Sequence, residues 1–367
     1  MLESADRAAV VKQTKGRAPV ADASTDDART TPASPRRGKS APTIYDVARL
    51  AEVNPSTVSR ALSQPGRISS KTEQRILSAA KELNYRLNPM ARALPTGRTS
   101  TIGLVVADIT NPMFFDAVRG AERAAAKRGY ILVLVESQES GEREAEATER
   151  VLPSVDALIL VTSRLSEERV RELSERKPVV VLNRDVTGVS SIVPDLERGI
   201  EQALAHLQSL GHSSLAYLSG PAGSWMSRAR WHQLFQKAPE HGMSIVEIPT
   251  SAPTLEGGRE ALSRVRASGV TAAIAYNDLI AIGLLRAAIG EGLGVPDDLS
   301  VIGFDDIFGS DFTSPPLTTV RMPLDIAGEL AVDRALGLID GVELDLASES
   351  PLITELVVRG STGLPRR

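Results

Sequence analysis

From residue 99 onward the sequence alternates short, almost wholly apolar runs with helical stretches, and this alternation limits the architecture more than any other feature. "TIGLVVADI" (101–109) reads as a buried strand, "FFDAVRGAERAAAKRG" (114–129) as a helix and "YILVLVES" (130–137) as a second strand. The helical "EREAEATERVL", the strand "ALILVTS", the helical "SEERVRELSER" and the strand "VVVLNR" complete a first half ending near residue 184. A second half repeats the scheme: helix "GIEQALAHLQSLG", strand "LAYLSG", a helix near 228–238, strand "MSIVEIP", a helix near 256–267, strand "AAIAYN", helix "LIAIGLLRAAIGEG" and strand "LSVIGF". Strands apolar on both parities need cover on both faces, which βαβ crossovers supply, so parallel sheets are expected. Two such halves predict two lobes facing a cleft, with ligand sites beyond the carboxyl ends of the strands.

The first 98 residues follow another pattern. Residues 1–42 are rich in Ala, Ser, Thr, Pro and charge without apolar periodicity, and are expected to be a disordered basic tail whose "PRRGK" (35–39) could touch phosphates. Residues 43–86 predict three short helices. Ile44, Val47, Ala48 and Ala51 share one face of the first, with Thr43 as its cap; Val58, Ala61 and Leu62 line the second; Ile76, Leu77, Ala80 and Leu83 line the third. "NPSTVSRAL" (54–62) opens the second helix rather than breaking one, because Asn54 is a good N-cap and Pro55 fits the first helical position, where no N–H is needed. Ser56, Thr57, Ser59 and Arg60 are left on its outer face.

Charge divides the chain at the same place. Residues 1–98 hold 17 Lys and Arg against 9 Asp and Glu, whereas residues 99–367 hold 25 against 37. A basic front on an acidic body suits a polyanion-binding head, since phosphate neutralisation and counterion release dominate nucleic-acid affinity. Zero cysteines exclude disulfides and thiolate sites, and the four histidines, at 206, 212, 232 and 241, have no metal-site spacing. No metal or cofactor is expected. No run is long enough to cross a bilayer and no signal-peptide core opens the chain, so a cytoplasmic location without membrane contact is expected. GxSxG, P-loop and Gly-rich dinucleotide motifs are missing, and "ADITNP" (107–112) occupies the first βα turn, which argues against an enzyme of the doubly wound class.

Two helices joined by a tight turn, the second presenting short hydroxyl side chains and an Arg, fit a helix-turn-helix that reads base edges in the major groove. Arg60 suits a bidentate contact to guanine O6 and N7. The following "NYRLNPMARALPTGRTS" (84–100) is a linker around Met90, Ala91 and Leu94, flanked by Arg92 and Arg98. A helix this short is marginal alone and could form on DNA, with Leu94 as a candidate minor-groove wedge and Arg92 beside it.

Together these residues resemble the lactose-repressor/galactose-repressor (LacI/GalR) family of bacterial transcription factors. "TIYDVARLAEVNPSTVSRALSQPGRISSKTEQRILSAAKELNYRLNPMARAL" (43–94) is similar to the family head, and "TSTIGLVVADITNPMFFDAVRGAERAAAKRGY" (99–130) to the opening of its effector domain. "VIGFDDIFGSDFTSPPLTTVRMP" (301–323) and "LVVRGSTG" (356–363) resemble its closing motifs. The resemblance implies an α/β fold: an N-terminal three-helix helix-turn-helix head and hinge helix, then a two-lobed periplasmic-binding-protein-like domain of parallel doubly wound sheets. It implies a DNA-binding domain at 43–86, a hinge at 87–98 and an effector-binding and dimerisation domain at 99–367. The first lobe would span about 99–191 and 322–342, the second about 192–321 and 343–367.

The resemblance places base-reading residues at Pro55, Ser56 and Arg60, phosphate contacts at Thr57 and Ser59, and the hinge leucine at Leu94. Effector contacts fall on Asn111, Phe114 and Phe115 in the first loop, then on Trp225 and Arg230 in "GSWMSRARW", Asn277 and Asp278 in "YND", and Asp305 in "GFDD". Aromatic faces suit the C–H faces of a sugar or nucleobase, while Arg, Asn and Asp serve its polar groups. The implied partners are a pseudo-palindromic double-stranded operator, a small carbohydrate or related effector, and a second copy of the chain. The chain ends without heptads, so a dimer is expected rather than a coiled-coil tetramer.

Four positions depart from the family pattern. Pro55 makes one base contact apolar, Pro95 ends the hinge helix early, "WHQLF" (231–235) changes the packing beneath Arg230, and Leu196 weakens an effector contact in "PDLERG". The expected function is a repressor controlled by an effector bound between the lobes; a cytoplasmic sugar-binding protein without regulatory DNA binding is the alternative.

Overall fold

The computed structural model describes residues 42–63, 66–85, 97–342 and 352–366. Two compact units divide the chain, Met1–Arg86 and Leu87–Arg367. The expected basic tail lies outside the described residues, as do Arg92, Leu94 and Pro95 of the expected hinge.

The head consists of α1 (Ile44–Leu50), α2 (Pro55–Ser63) and α3 (Ser70–Glu82). Asp46 fixes the start of α1 by accepting the Thr43 amide at 2.9 Å and the Thr43 hydroxyl at 2.7 Å, bonds that hold its carboxyl below the ordinary value. The α2 ladder begins at the Asn54 carbonyl, which accepts from the Val58 amide at 3.2 Å, and Pro55 occupies the first helical position. Ser69 caps α3. Val47, Ala48, Ala51, Val58, Ala61, Ile76, Ala79 and Ala80 form the core. Leu77 is a correction to the expected face: it is half exposed, and Ala79 takes its place. Residues 76, 79, 80 and 83 share one side of a 3.6-residue helix, from which position 77 turns by a further 100° or so.

In the second unit, β1 (Thr101–Val106), β2 (Ile131–Glu136), β3 (Ala157–Val161), β4 (Val179–Leu182) and β5 (Ser190–Ile192) form a parallel sheet in the order β2-β1-β3-β4-β5. The second sheet runs β11-β10-β9-β8-β6-β7, with β6 (Ser214–Ser219), β7 (Ser244–Pro249), β8 (Ala272–Ala275), β9 (Ser300–Asp305), β10 (Thr318–Arg321) and β11 (Glu355–Val357). Only its β10–β11 pair is antiparallel. Both sheets reverse direction at equivalent places, between β1 and β3 and between β6 and β8, where loops diverge and leave a crevice.

The helices are α4 (Met113–Lys127), α5 (Gly141–Val151), α6 (Glu167–Arg176), α7 (Glu197–Ser209), α8 (Trp225–Lys237), α9 (Leu255–Ser268), α10 (Asp278–Gly290) and α11 (Leu324–Asp340). Ser140, Ser166, Ser224, Thr254 and Asn277 each cap a helix by accepting the amide three residues on. The Ser224 cap corrects the expected start of α8 from about residue 228 to Trp225. Four elements lie outside the alternation read from the sequence: β5, β10, β11 and α11. After β10 the chain returns to the first sheet, where α11 packs on α4, and β11 then joins the second sheet.

Each sheet is flanked by a helix pair in near-backbone contact. A Cβ on Gly120 of α4 would stand 1.9 Å from the Asp325 carbonyl oxygen, and one on Gly328 of α11 would stand 2.1 Å from that of Ala117. Gly258 and Gly283 repeat this reciprocity between α9 and α10. Gly120→Ala should therefore lower stability by about 1–3 kcal/mol in urea unfolding, as overpacking does. A gain of about 1 kcal/mol, as helix propensity alone dictates, would contradict the close approach.

Candidate functional site

The loops beyond the strand ends of both sheets carry left-handed residues that are not glycine: Gln138, Glu139, Thr162, Asn183, Asp305 (φ 107°) and Asp306 (φ 54°). Such conformations are costly and persist where surrounding contacts enforce them, commonly at ligand sites. Arg230 from α8 and Asp305 at the end of β9 meet there, with 3.1 Å between guanidinium Nη2 and carboxylate Oδ1. Both are buried, with Arg230 2 % exposed and Asp305 5 %. Arg230 also donates to the Tyr276 carbonyl through Nη1, contacts Met322 Sδ at 2.9 Å, and lies over the rings of Phe304 (4.2 Å) and Tyr276 (5.1 Å). One polar atom on each partner, Arg230 Nε and Asp305 Oδ2, is buried without a hydrogen-bond partner. Unsatisfied buried groups of this kind are uncommon in folded proteins.

Tyr276 closes the space next to this pair. Its hydroxyl is 3.1 Å from Ser224 Oγ, and its ring fits only because residue 220 is glycine, where a Cβ would stand 2.5 Å from ring carbon Cδ1. Beneath Arg230, Trp231 stacks on Tyr217 at 6.0 Å and contacts Phe235, so "WHQLF" supplies an aromatic layer.

Asp278, expected at the cleft, is fully buried with both carboxylate oxygens bonded to protein groups, so it supports the site from below instead of lining it. Its carboxylate accepts the Ile307 amide (2.9 Å), the Ser310 hydroxyl (2.6 Å) and the Thr319 hydroxyl (2.5 Å), joining α10 to β10 and the loop after β9. Burial, with Asp305 nearby, pushes the Asp278 carboxyl up to about 7 against these three bonds, and burial raises Asp305 to about 6 despite Arg230.

On the head, Ser56 and Arg60 are exposed and Pro55, Thr57 and Ser59 half-buried along α2, while Val58 and Ala61 point into the core. The helix thus presents two exposed polar side chains, with partly accessible Pro55, Thr57 and Ser59 between them.

Comparison with known proteins gives this arrangement a family. The description "Bacterial regulatory proteins, lacI family" matches residues 43–88, and "Periplasmic binding protein-like domain" matches residues 204–362. The HTH-type transcriptional regulator DegA of Bacillus subtilis (strain 168) is 33 % identical over 330 residues, which cover 87 % of this chain and 98 % of DegA. The chain belongs to the LacI family of bacterial regulatory proteins. A crystal structure of the Lac repressor dimer, bound to operator and the anti-inducer ONPF, superposes with a TM-score of 0.78 at 28 % identity, covering 88 % of this chain and 99 % of that one. A LacI-family regulator from Enterococcus faecium with bound ribose gives a TM-score of 0.62 at 28 % identity over 72 % of this chain and all of that one. This LacI-family protein is a DNA-binding transcriptional regulator controlled by a small effector, and its relatives are regulators, not enzymes. Among the described residues no helix is long and apolar enough to cross a membrane.

Of the expected effector residues, Arg230 and Asp305 are brought into direct contact. Trp225 is the first residue of α8 and packs partly buried on the core. Asn277 is buried with both polar atoms engaged: Oδ1 caps α10 through the Ile280 amide at 2.9 Å and Nδ2 donates to the Pro253 carbonyl at 3.0 Å. Asn111 Oδ1 likewise accepts the Met113 amide at 3.1 Å. Phe114 is a core residue and Phe115 is 43 % exposed, as adjacent positions on an amphipathic helix require. Leu196 is buried in the core. The sequence alone does not single out Tyr276, Phe304 or Met322, although each lies inside a quoted strand or motif. Apolar or aromatic residues there carry no signal distinct from core.

Both buried carboxyls have folded values above the ordinary carboxylate range, so the stability they contribute is full below about pH 4 and is lost as pH rises through 6 to 7. Asp278→Asn keeps the shape and one acceptor oxygen, turns the other oxygen into an amide donor that the Thr319 hydroxyl can accept, and removes the charge. Relative to the parent it should be more favourable at pH 8 than at pH 5 by about 2 kcal/mol, read from thermal unfolding at the two pH values. An equal effect at both would show that Asp278 is not held protonated by burial.

Proposed function

We propose that this LacI-family regulator is a homodimeric repressor whose operator affinity is set by a carbohydrate or related molecule bound between the lobes beside Arg230 and Asp305. The observation that carries this is the buried pair itself. A guanidinium and a carboxylate sit at strand ends beside the switch point of the second sheet, each with one unmet polar atom, between the ring faces of Tyr276 and Phe304. Arg Nε and a carboxylate oxygen offer a donor and an acceptor to vicinal hydroxyls, and the aromatic faces suit C–H surfaces. Trp225, Asn111 and Phe115 complete the approach from α8 and the first βα turn, Phe114 backs them from the core, and Asn277 acts indirectly by setting the start of α10. Ribose in the Enterococcus faecium relative supports this ligand class.

The 43–86 head reads DNA through α2. Ser56 and Arg60 contact base edges, Pro55 faces a thymine methyl, and Thr57 and Ser59 hold phosphates. Residues 87–98 act as the hinge, with Leu94 and Arg92 at the minor groove, and residues 99–367 bind effector and dimerise. The exposed Phe308 and Phe312, in edge contact at 5.1 Å next to exposed Ile289, suit the dimer face. Two copies would place two α2 helices on a pseudo-palindromic operator. The protein works in the cytoplasm, where its DNA target lies.

Arg60→Ala should cost roughly 1–3 kcal/mol on the preferred operator and relax preference at one base pair. An equal loss on operator and random duplex in a mobility-shift titration would remove its base-reading role. Arg230→Ala and Asp305→Ala each leave a buried charge unpaired and should abolish the effector response of operator binding, at a stability cost of about 3–5 kcal/mol. Folded variants that still respond like the parent would place the effector elsewhere.

A further inference from the structure

Arg164, Arg184 and Arg228 converge where the two lobes meet. Arg164 follows β3 and Arg184 follows β4, both on the first lobe, while Arg228 lies in the opening turns of α8 on the second. Arg164 Cδ is 3.8 Å from where a Cβ on Gly223 would stand, so the side chain reaches across to the loop that precedes α8. Arg228 grips the same loop from the other side, its Nη1 donating to the Ala222 carbonyl at 2.8 Å. Arg184 donates to the Ser163 carbonyl at 3.1 Å and to that of Leu165, the residues on either side of Arg164.

The cations outnumber their counter-charges. Glu139 answers Arg164 at 2.6 Å, and Thr162 O takes its Nη1. Glu144 accepts the Arg164 amide at 2.7 Å, but burial raises its carboxyl. Glu167 acts on Arg184 yet is itself paired with Arg171 at 3.2 Å. Arg184 is buried and has no carboxylate partner among the described residues, and its Nε lacks any partner. Arg228 is exposed and bonded only to a carbonyl among the described residues. The first turn of α8 contains no acidic residue, so its dipole adds to the positive field.

Resting on the carbohydrate reading above, we propose that the effector is an anionic carbohydrate, a sugar acid or sugar phosphate, whose acidic group sits between Arg184, Arg228 and Arg164 while its hydroxyls meet Arg230 and Asp305. An anion there replaces guanidinium repulsion across the lobes with charge-assisted bonds to both, so its binding would hold the cleft closed.

The chain's two tryptophans, Trp225 and Trp231, both lie on α8 and report binding by fluorescence. The intact protein is titrated with ribose and ribose 5-phosphate, with glucose, glucose 6-phosphate and gluconate, with galactose and galacturonate, and with inorganic phosphate alone. At least one charged member should bind about tenfold or more tightly than its neutral parent, and Arg228→Ala, at an exposed position, should cut that preference to about threefold or less. Preference for phosphates or for carboxylates separates the two sources of the charge. A neutral sugar binding as tightly as its charged forms overturns the anionic site and leaves the carbohydrate reading standing. Phosphate alone binding as tightly as the phosphorylated sugars overturns the carbohydrate part, and no binding by any probe overturns both.

Discussion

A buried guanidinium needs partners over most of its surface, and in this protein the answer to Arg230 shapes the second lobe. An ion of this size taken out of water costs several kcal/mol even after relaxation, so partners are compulsory. Asp305 supplies the opposite charge, the Tyr276 carbonyl accepts a hydrogen bond, and the rings of Phe304 and Tyr276 cover the guanidinium faces. These groups come from α8 and from the ends of β8 and β9. Met322, also in contact with Arg230, stands where the chain leaves β10 for α11 and the first lobe. One side chain therefore ties three strand ends to the crossover between lobes, while the neighbouring left-handed residue Asp306 is held separately by Arg321 and Arg359. The pair remains incomplete by one donor and one acceptor, which under the proposed function a polyhydroxylated ligand would complete.

This site and the head belong to different units of the chain, and control of DNA binding by an effector is a coupling free energy between the two binding events. Such coupling is reciprocal: whatever factor the effector imposes on operator affinity, the operator imposes on effector affinity. Arg164 and Arg228 give the mechanism a physical handle, because their charges stand on opposite lobes and respond to what lies between them.

Periodicity made the sheets legible. Apolar strands such as "ALILV" and capped helices such as the one opened by Asn54 and Pro55 fall close to where their residue types place them, since period, cap and burial agree locally. The short β5, β10 and β11 were not legible, being three or four residues each with no run to read. Leu77 was misassigned because one position on a helix separates core from surface. The contact between Arg230 and Asp305 joins two positions that the family resemblance points to. Tyr276 was not legible, because a buried tyrosine at a strand end looks like core until Gly220 is seen to make room for its ring. Asn277, expected to touch the ligand, spends both polar atoms on a cap and a loop carbonyl, a choice fixed by tertiary geometry. The arginine cluster escaped the sequence because its members lie 20 to 64 residues apart and meet only when β3, β4 and β6 are aligned.

The most direct test of the account is the affinity of an effector identified by tryptophan fluorescence, measured with the protein free and again saturated with its operator duplex. The account predicts that effector affinity changes on operator binding by the same factor by which the effector changes operator affinity. An effector affinity that is the same in both states would contradict it.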